Sequence, residues 1–413
     1  MKRVKYLLFV VSTTLLAQQN MTIRDCEASF EKNNLQLLAQ QYNISMSDAD
    51  IIQAKIWELP QASVQFNTIN PEDKKIFDVG RSKEAQISQL IYLGGKKKNE
   101  IAFAKSNKEL AQLQFTQLLV DLRTQLRTNF YNLYFEKLKL DNITRHLGYM
   151  NDLLSAYKIQ TKKGNISLKD EVRLQTEVIQ LRSDKVSSNN SILEYQQNLK
   201  LLTGITENID PEISETEAQN SLLVEPIGDI EDLKRKALEY NVDYLYNLKL
   251  IDNGRLYAQW QKSLNTPDIN LGMAYSQNGG TFKNEVDMVV GMPIPLWKSN
   301  KGNVEKAKFA IEQHQKNAEL QKLSIENQVE SAYQTWKNNY QQYFQLSIQD
   351  LDDLNIVYNG MLKNFRNGNV SLIDFTDFMD SYRKTILQVY EMKKQIIISK
   401  EQLNQLVQTQ IFY

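Results

Sequence analysis

The chain has 413 residues, enough for two or more domains, and carries 49 basic against 49 acidic side chains. That balance provides no basic field for nucleic acid. One cysteine and two histidines leave little for disulfides or a metal site. The sequence holds no Gly-rich phosphate loop, Cys/His cluster or nucleophile elbow, so no catalytic, cofactor-binding or metal residue is expected.

The first residues read as an address. "MKRVK" is basic, "YLLFVVSTTLL" is apolar, and Ala17 suits the position before cleavage, so 1–17 is expected to be a secretory signal peptide. The apolar run is too short to span a bilayer comfortably. No cysteine follows Ala17, so a lipoprotein signal is not indicated, and Cys26 reads as a small buried apolar side chain. Removing Lys2, Arg3 and Lys5 leaves 46 basic against 49 acidic residues.

Alternating segments follow. In 61–68, Ala62, Val64 and Phe66 alternate with Ser63, Gln65 and Asn67; in 84–88, Ala85 and Ile87 alternate with Glu84, Gln86 and Ser88. Period two with one apolar face predicts strands, here a pair within 61–93. From Lys96 to Lys162 no proline interrupts the chain, and Leu119, Leu122, Leu126, Phe130 and Leu133 mark a helical apolar stripe. A helix of about 65 residues reaches roughly 100 Å, and such length without internal caps implies coiled-coil packing. "GNISLKD" ends that helix at Gly164 and starts another at Ser167, which runs to about Thr203, so the hairpin occupies 96–205.

After an acidic, proline-containing linker within 206–229, the pattern returns. Ile269, Leu271, Met273 and Tyr275 share one face of 268–275; Val286, Met288, Val290, Met292 and Ile294 share one face of 286–294, giving a second strand pair within 267–297. A second hairpin is expected over 302–410. Its first helix runs from Asn303 to Arg366 with the stripe Ile325, Val329, Ala332, Trp336, Tyr340 and Tyr343, and its turn is "GNVSLIDFTD". Gly164, Asn165, Ser167, Leu168 and Asp170 recur as Gly368, Asn369, Ser371, Leu372 and Asp374, an offset of 204. "IYLGGKKKNEIAFAK" recurs as "IPLWKSNKGNVEKAK" at an offset of 203. The chain therefore reads as two repeats, 18–205 and 230–413, each a strand pair carrying a helical hairpin.

No segment beyond the leader is apolar enough for a membrane helix, so any membrane-spanning part must be a closed barrel. Four strands cannot close, since a small barrel needs about eight, so other copies would have to complete it. Val64, Phe66, Leu271 and Val290 are expected to face lipid, and Ser63, Gln65 and Asn270 the lumen. Trp57, Trp260 and Trp297 flank the strands, as an aromatic interface belt would. "GGKKKN" at 94–99 reads as a solvated strand exit, and His146 and His314 as solvated helix faces.

This ordered set resembles the TolC family of outer-membrane efflux channels, with "PIPLW…NKGNVEKAK" nearest to outer-membrane components of heavy-metal and other resistance-nodulation-division pumps. The resemblance implies a mainly α fold with a small β part. A homotrimer would make a twelve-stranded barrel in outer-membrane lipid and a twelve-helix periplasmic tunnel. It implies a passive exit duct served by a periplasmic adaptor and an inner-membrane transporter. The tips, Gly164, Asn165, Ser167, Leu168 and Asp170 with Gly368, Asn369, Ser371 and Leu372, become candidate adaptor contacts. In the family two acidic residues after the tip glycine line the periplasmic constriction, and Asp374 and Asp377 match them; Arg173 stands where the first repeat's second carboxylate would be. Capping alone would also explain the tip serines and aspartates. A secreted helical scaffold, or an adaptor without a channel, is the alternative.

Overall fold

Alternation of apolar and polar side chains is what makes the strands. The computed structural model describes residues 19–69, 74–76, 82–213, 225–226, 228–278, 282–294, 296, 300–346 and 348–408. The expected signal peptide at 1–17, the middle of the linker and Trp297 lie outside the described residues. The chain forms two compact units.

One unit comprises Ala39–Gln117 and Val242–Leu323. Its sheet contains β2 (Gln61–Phe66), β3 (Ser82–Ile91), β5 (Ile269–Asn278) and β6 (Phe282–Gly291), all antiparallel in that order. The two strand pairs are thus joined side by side, β3 to β5, from Ser82 opposite Asn278 to Ile91 opposite Ile269. Gly272 permits this approach, because a Cβ there would lie 2.7 Å from the Ile87 carbonyl oxygen.

Most of α2 (Leu35–Lys55), the start of α3 (Lys96–Lys162), α6 (Val242–Ser263) and the start of α7 (Lys301–Phe344) complete this unit. The strand exit at 94–99 is solvated at Gly94, Gly95 and Lys98, as expected, but not at Lys96. Lys96 is buried and pairs with Asp268 at 2.6 Å, and Asp268 also accepts the Leu93 N–H at 3.0 Å. Trp260 stacks on Phe103 at 5.6 Å between centroids, while Trp57 is half-exposed beside Tyr92.

The other unit takes the described residues up to Leu38, those within Leu118–Asn241 and those from Ser324 onward. It holds β1 (Gln19–Met21) paired in parallel with β4 (Ile209–Pro211), α1 (Ile23–Asn33), the rest of α3, α4 (Leu168–Thr203), α5 (Ile230–Tyr240), the rest of α7, α8 (Ile348–Arg366) and α9 (Leu372–Val407). The predicted stripes are its core: Leu126, Phe130, Leu133, Ile325, Val329 and Trp336 are fully buried. So is Cys26, whose thiol burial pushes up to about 12. Toward the tips, Ile143, Met150, Leu174, Val178, Phe375 and Met379 join α3, α4 and α9 in one apolar cluster.

The two repeats differ in one helix. α3 is unbroken over 67 residues, whereas the stretch read as one helix from Asn303 to Arg366 is α7 and α8, interrupted after Phe344. The Leu346 N–H reaches back to Tyr343 at 3.0 Å, a three-residue bond that tightens and ends the helical ladder. The sequence Ser347-Ile-Gln-Asp350 then carries the S-x-x-D pattern of a new helix start.

Candidate functional site: a two-faced sheet and paired hairpin tips

Strand register sorts the sheet's side chains. Val64 lies opposite Ala85, Ala85 opposite Tyr275 and Tyr275 opposite Val286; Ile87, Met273 and Met288 form the adjoining row, and Leu271 faces Val290. Directly opposed residues project to the same side of a sheet. Val64, Phe66, Leu271 and Val290 therefore share one apolar face, and all four are exposed. Ser63, Gln65 and Asn270 lie on the opposite side. There Gln65, Glu84, Ser276 and Glu285 make one row, and Ser63, Gln86, Ala274 and Asp287 the next.

Both hairpin tips are built alike. Gly164 and Gly368 have φ of 78° and 74°, the left-handed conformation that glycine accepts without a Cβ clash. In the first, Gly164 donates to the Thr161 carbonyl at 3.0 Å and Asn165 to Gln160 at 3.0 Å; in the second, Gly368 donates to Phe365 at 3.0 Å and Asn369 to Asn364 at 2.9 Å. These paired bonds are a Schellman motif in each repeat. Ser167 Oγ accepts the Asp170 N–H at 3.2 Å and donates to the Asp170 carboxylate at 2.6 Å; Ser371 and Asp374 repeat both distances. Each serine thus caps its helix, and each aspartate carboxylate holds the capping hydroxyl in place.

Beyond the caps the tips diverge. Leu168 is 65% exposed, whereas Leu372 is 8% exposed and packs in the apolar cluster with Phe375, whose ring stacks on Phe365. Asp374 and Asp377 are both exposed. Asp377 is paired: the Arg173 guanidinium donates to its carboxylate and, at 3.1 Å, to the Thr376 hydroxyl. α4 and α9 thus meet through an ion pair as well as through apolar packing.

A second polar link lies deeper and was not anticipated from sequence. Buried Arg383 donates to Asp184 at 2.8 Å and to Asp380 at 2.9 Å. Burial opposes ionisation of Asp380, but hydrogen bonds from Lys384 and Arg383 outweigh it and hold that carboxyl below its ordinary value. Glu177 moves the other way, raised by burial and by the charge of Asp380. His146, expected on a solvated face, is 6% exposed; burial and the nearby Arg383 lower it to about 4. Its place in the α3 apolar register, between Ile143 and Met150, was the available signal. His314 is partly buried, with no hydrogen bond to Nδ1 among the described residues.

Among the described residues, no three His, Cys, Asp or Glu side chains come together as a metal site, and no helix is long and apolar enough to cross a membrane. Residues 241–408 match the profile of the family Outer membrane efflux protein. The matched residues lie in the second repeat, so the likeness to that family is carried by this part of the chain. The cobalt-zinc-cadmium resistance protein CzcC of Cupriavidus metallidurans is 23% identical over 277 residues, covering 67% of this chain and 63% of the relative. The match thus spans just under two thirds of that curated relative's length.

Solved structures extend the likeness over nearly the whole chain. A CusC crystal structure aligns with a TM-score of 0.74 at 13% identity, covering 93% of this chain and 91% of that one. The CmeC outer membrane channel of Campylobacter jejuni gives 0.73 at 12% identity, covering 93% and 85%. The open-state MtrE outer membrane channel of Neisseria gonorrhoeae gives 0.70 at 12% identity, covering 93% and 88%. At these identities the likeness establishes the fold: duplicated strand pairs and helical hairpins of the TolC type.

Proposed function

We propose that this protein is the outer-membrane exit duct of a tripartite pump, passing substrates without chemistry. The observation that carries the reading is the sheet. It is apolar on one face and polar on the other, and among the described residues β2 and β6 each have a strand partner on one side only. An exposed apolar sheet with open edges is an aggregation hazard in water. The same sheet is the stable solution in lipid once its edges are paired, because a closed barrel satisfies every backbone group. Three copies would supply twelve strands, with Val64, Phe66, Leu271 and Val290 toward lipid and the row of Glu84 and Glu285 toward the lumen.

The hairpins would then form the periplasmic conduit, and the tips from Gly164 to Asp170 and Gly368 to Leu372 would meet an adaptor. An inner-membrane transporter of the resistance-nodulation-division type would supply the energy. Asp374 and Asp377 would line the constriction around the threefold axis. Their six carboxylates would be interleaved with three Arg173 guanidiniums, so the ring would be less negative than its acids alone suggest. CzcC is named for cobalt, zinc and cadmium resistance, which makes divalent metal ions the first cargo to test. Membrane fractionation with an unboiled gel tests the reading. Outer-membrane location with a trimeric band is expected; a soluble monomer would overturn it in favour of a scaffold or adaptor.

A further inference from the structure

A polar cavity of about 450 Å³ lies among α3, α8 and α9 in the hairpin unit. Arg145 and His146 line it from α3, Tyr358 from α8, and Tyr382, Tyr390 and Lys393 from α9. No aspartate or glutamate is among its lining residues.

The charges in this wall are incompletely matched. Arg145 contacts Asp141 at 2.9 Å on the exposed side, which engages one end of a guanidinium that has five N–H donors. Lys393 is half-buried and its ammonium, at 5.8 Å from the centroid of the Tyr343 ring, has no carboxylate within ion-pair distance among the described residues. Burial accordingly pulls that ammonium below its ordinary value. A partly desolvated cation without a counter-ion is costly, and an anion is the group that relieves the cost.

The remaining wall is flat and aromatic. Tyr358 stacks on Tyr382, centroids 4.3 Å apart and planes 23° from parallel. Burial pushes the Tyr358 hydroxyl up to about 12, and burial also raises Tyr390, so both remain donors at neutral pH. We propose that this cavity binds a small planar organic anion, an aromatic carboxylate, with its carboxylate between Arg145 and Lys393 and its ring against the Tyr358–Tyr382 wall. The bound molecule would bridge α8 to α3 and α9. α8 is the helix that begins anew after the interruption at Gln345 and Leu346, so the ligand would brace a separate segment. The exposed row of α9, Asp374, Asp377, Ser381, Lys384 and Gln388, lies on a different face of that helix. The cavity is therefore distinct from the proposed constriction, and its ligand is a regulator rather than cargo.

Isothermal titration calorimetry of the purified full chain with phthalate tests this. Benzyl alcohol keeps the ring without the charge, and sulfate keeps the charge without the ring. Phthalate should bind saturably, with the two controls at least tenfold weaker. Lys393→Gln should raise the phthalate Kd about tenfold or more, and Lys393→Arg should restore most of the affinity. Tyr358→Leu should weaken phthalate while leaving the sulfate response unchanged. Should Lys393→Gln fail to assemble, Arg145→Gln on the exposed rim carries the same comparison. Absence of phthalate binding, sulfate binding as tight as phthalate, or unchanged affinity in the glutamine variants would each overturn the proposal.

Discussion

Arg173 and Asp377 occupy the same position in the two repeats, 204 residues apart, and their side chains form an ion pair across the hairpins. The duplication thus places a residue against its own counterpart, with opposite charge. Both partners are more than a third exposed, so the pair contributes little to stability, roughly 0.2–1 kcal/mol. Its larger effect is expected on the charge of the proposed constriction. At about 8 Å a unit charge is worth roughly 0.5 kcal/mol in water and about 2 at an effective dielectric of 20.

The two signs of change at this ring should act oppositely. Asp374→Asn with Asp377→Asn should leave the trimer intact, reduce cation selectivity and weaken block by multivalent cations from the periplasmic side. Arg173→Gln should increase both selectivity and block. Single-channel recording on purified trimers reads both quantities. Shifts in the same direction, or none, would place these side chains away from the pore and leave support of the Ser371 cap as the role of Asp374.

The sequence carried the architecture in patterns that repeat. Period-two alternation located all four strands of the sheet, and the glycine-serine-aspartate tips located both turns, because local backbone chemistry requires those residues there. The register that joins β3 to β5 was not legible, since pairing between strands far apart in sequence leaves no local mark beyond Gly272. His146 was misread although the α3 apolar register marked its place, and Arg383 was missed because a polar side chain on a helix does not announce which neighbours bury it. The interruption before α8 was legible in principle from the S-x-x-D pattern at Ser347, but the continuous aromatic stripe through Tyr343 masked it.

The face assignment of the sheet makes a differential prediction. Val290→Arg places a charge on the apolar face and should cost about 2–4 kcal/mol if it lies near the bilayer midplane. Asn270→Arg, one register row away on the polar face, should be tolerated. The yield of heat-resistant trimer in the outer-membrane fraction measures both. Equal impairment by the two substitutions would show the faces to be misassigned.

Arg127 binds Glu401 through two bonds of 2.7 and 2.9 Å and Glu27 through a third of 2.8 Å, with Arg127 and Glu401 both buried. Removing one carboxylate leaves a buried guanidinium short of charge. Glu401→Ala should therefore destabilise the fold by about 3–5 kcal/mol, while the apolar pair Arg127→Met with Glu401→Leu should recover much of the loss. Chemical denaturation followed by circular dichroism gives the comparison. A single variant as stable as the parent would mean that Glu27 alone suffices for Arg127.

His146 gives the fold a pH dependence whose sign is fixed. Its imidazole is held neutral in the folded chain, lowered to about 4 by burial first and by Arg383 second, with Asp380 pulling weakly the other way. An unfolded histidine titrates near 6.5. Between those values the unfolded chain binds the extra proton, so protonation favours unfolding. The contribution is complete above about pH 6.5 and is lost as pH falls toward 4, on the order of 3 kcal/mol over the whole window. Asp380 and Glu177 are shifted too, the first held below its ordinary value and the second raised above it, so the wild-type curve alone is not diagnostic. The difference between wild type and His146→Gln isolates the imidazole. Glutamine does not titrate, so the variant should be no less stable than wild type at pH 4.5 relative to pH 7.5, and its stability should fall less across that interval. Parallel curves for the two proteins, measured by denaturant titration at each pH, would show that His146 gains solvent on protonation and carries no such penalty.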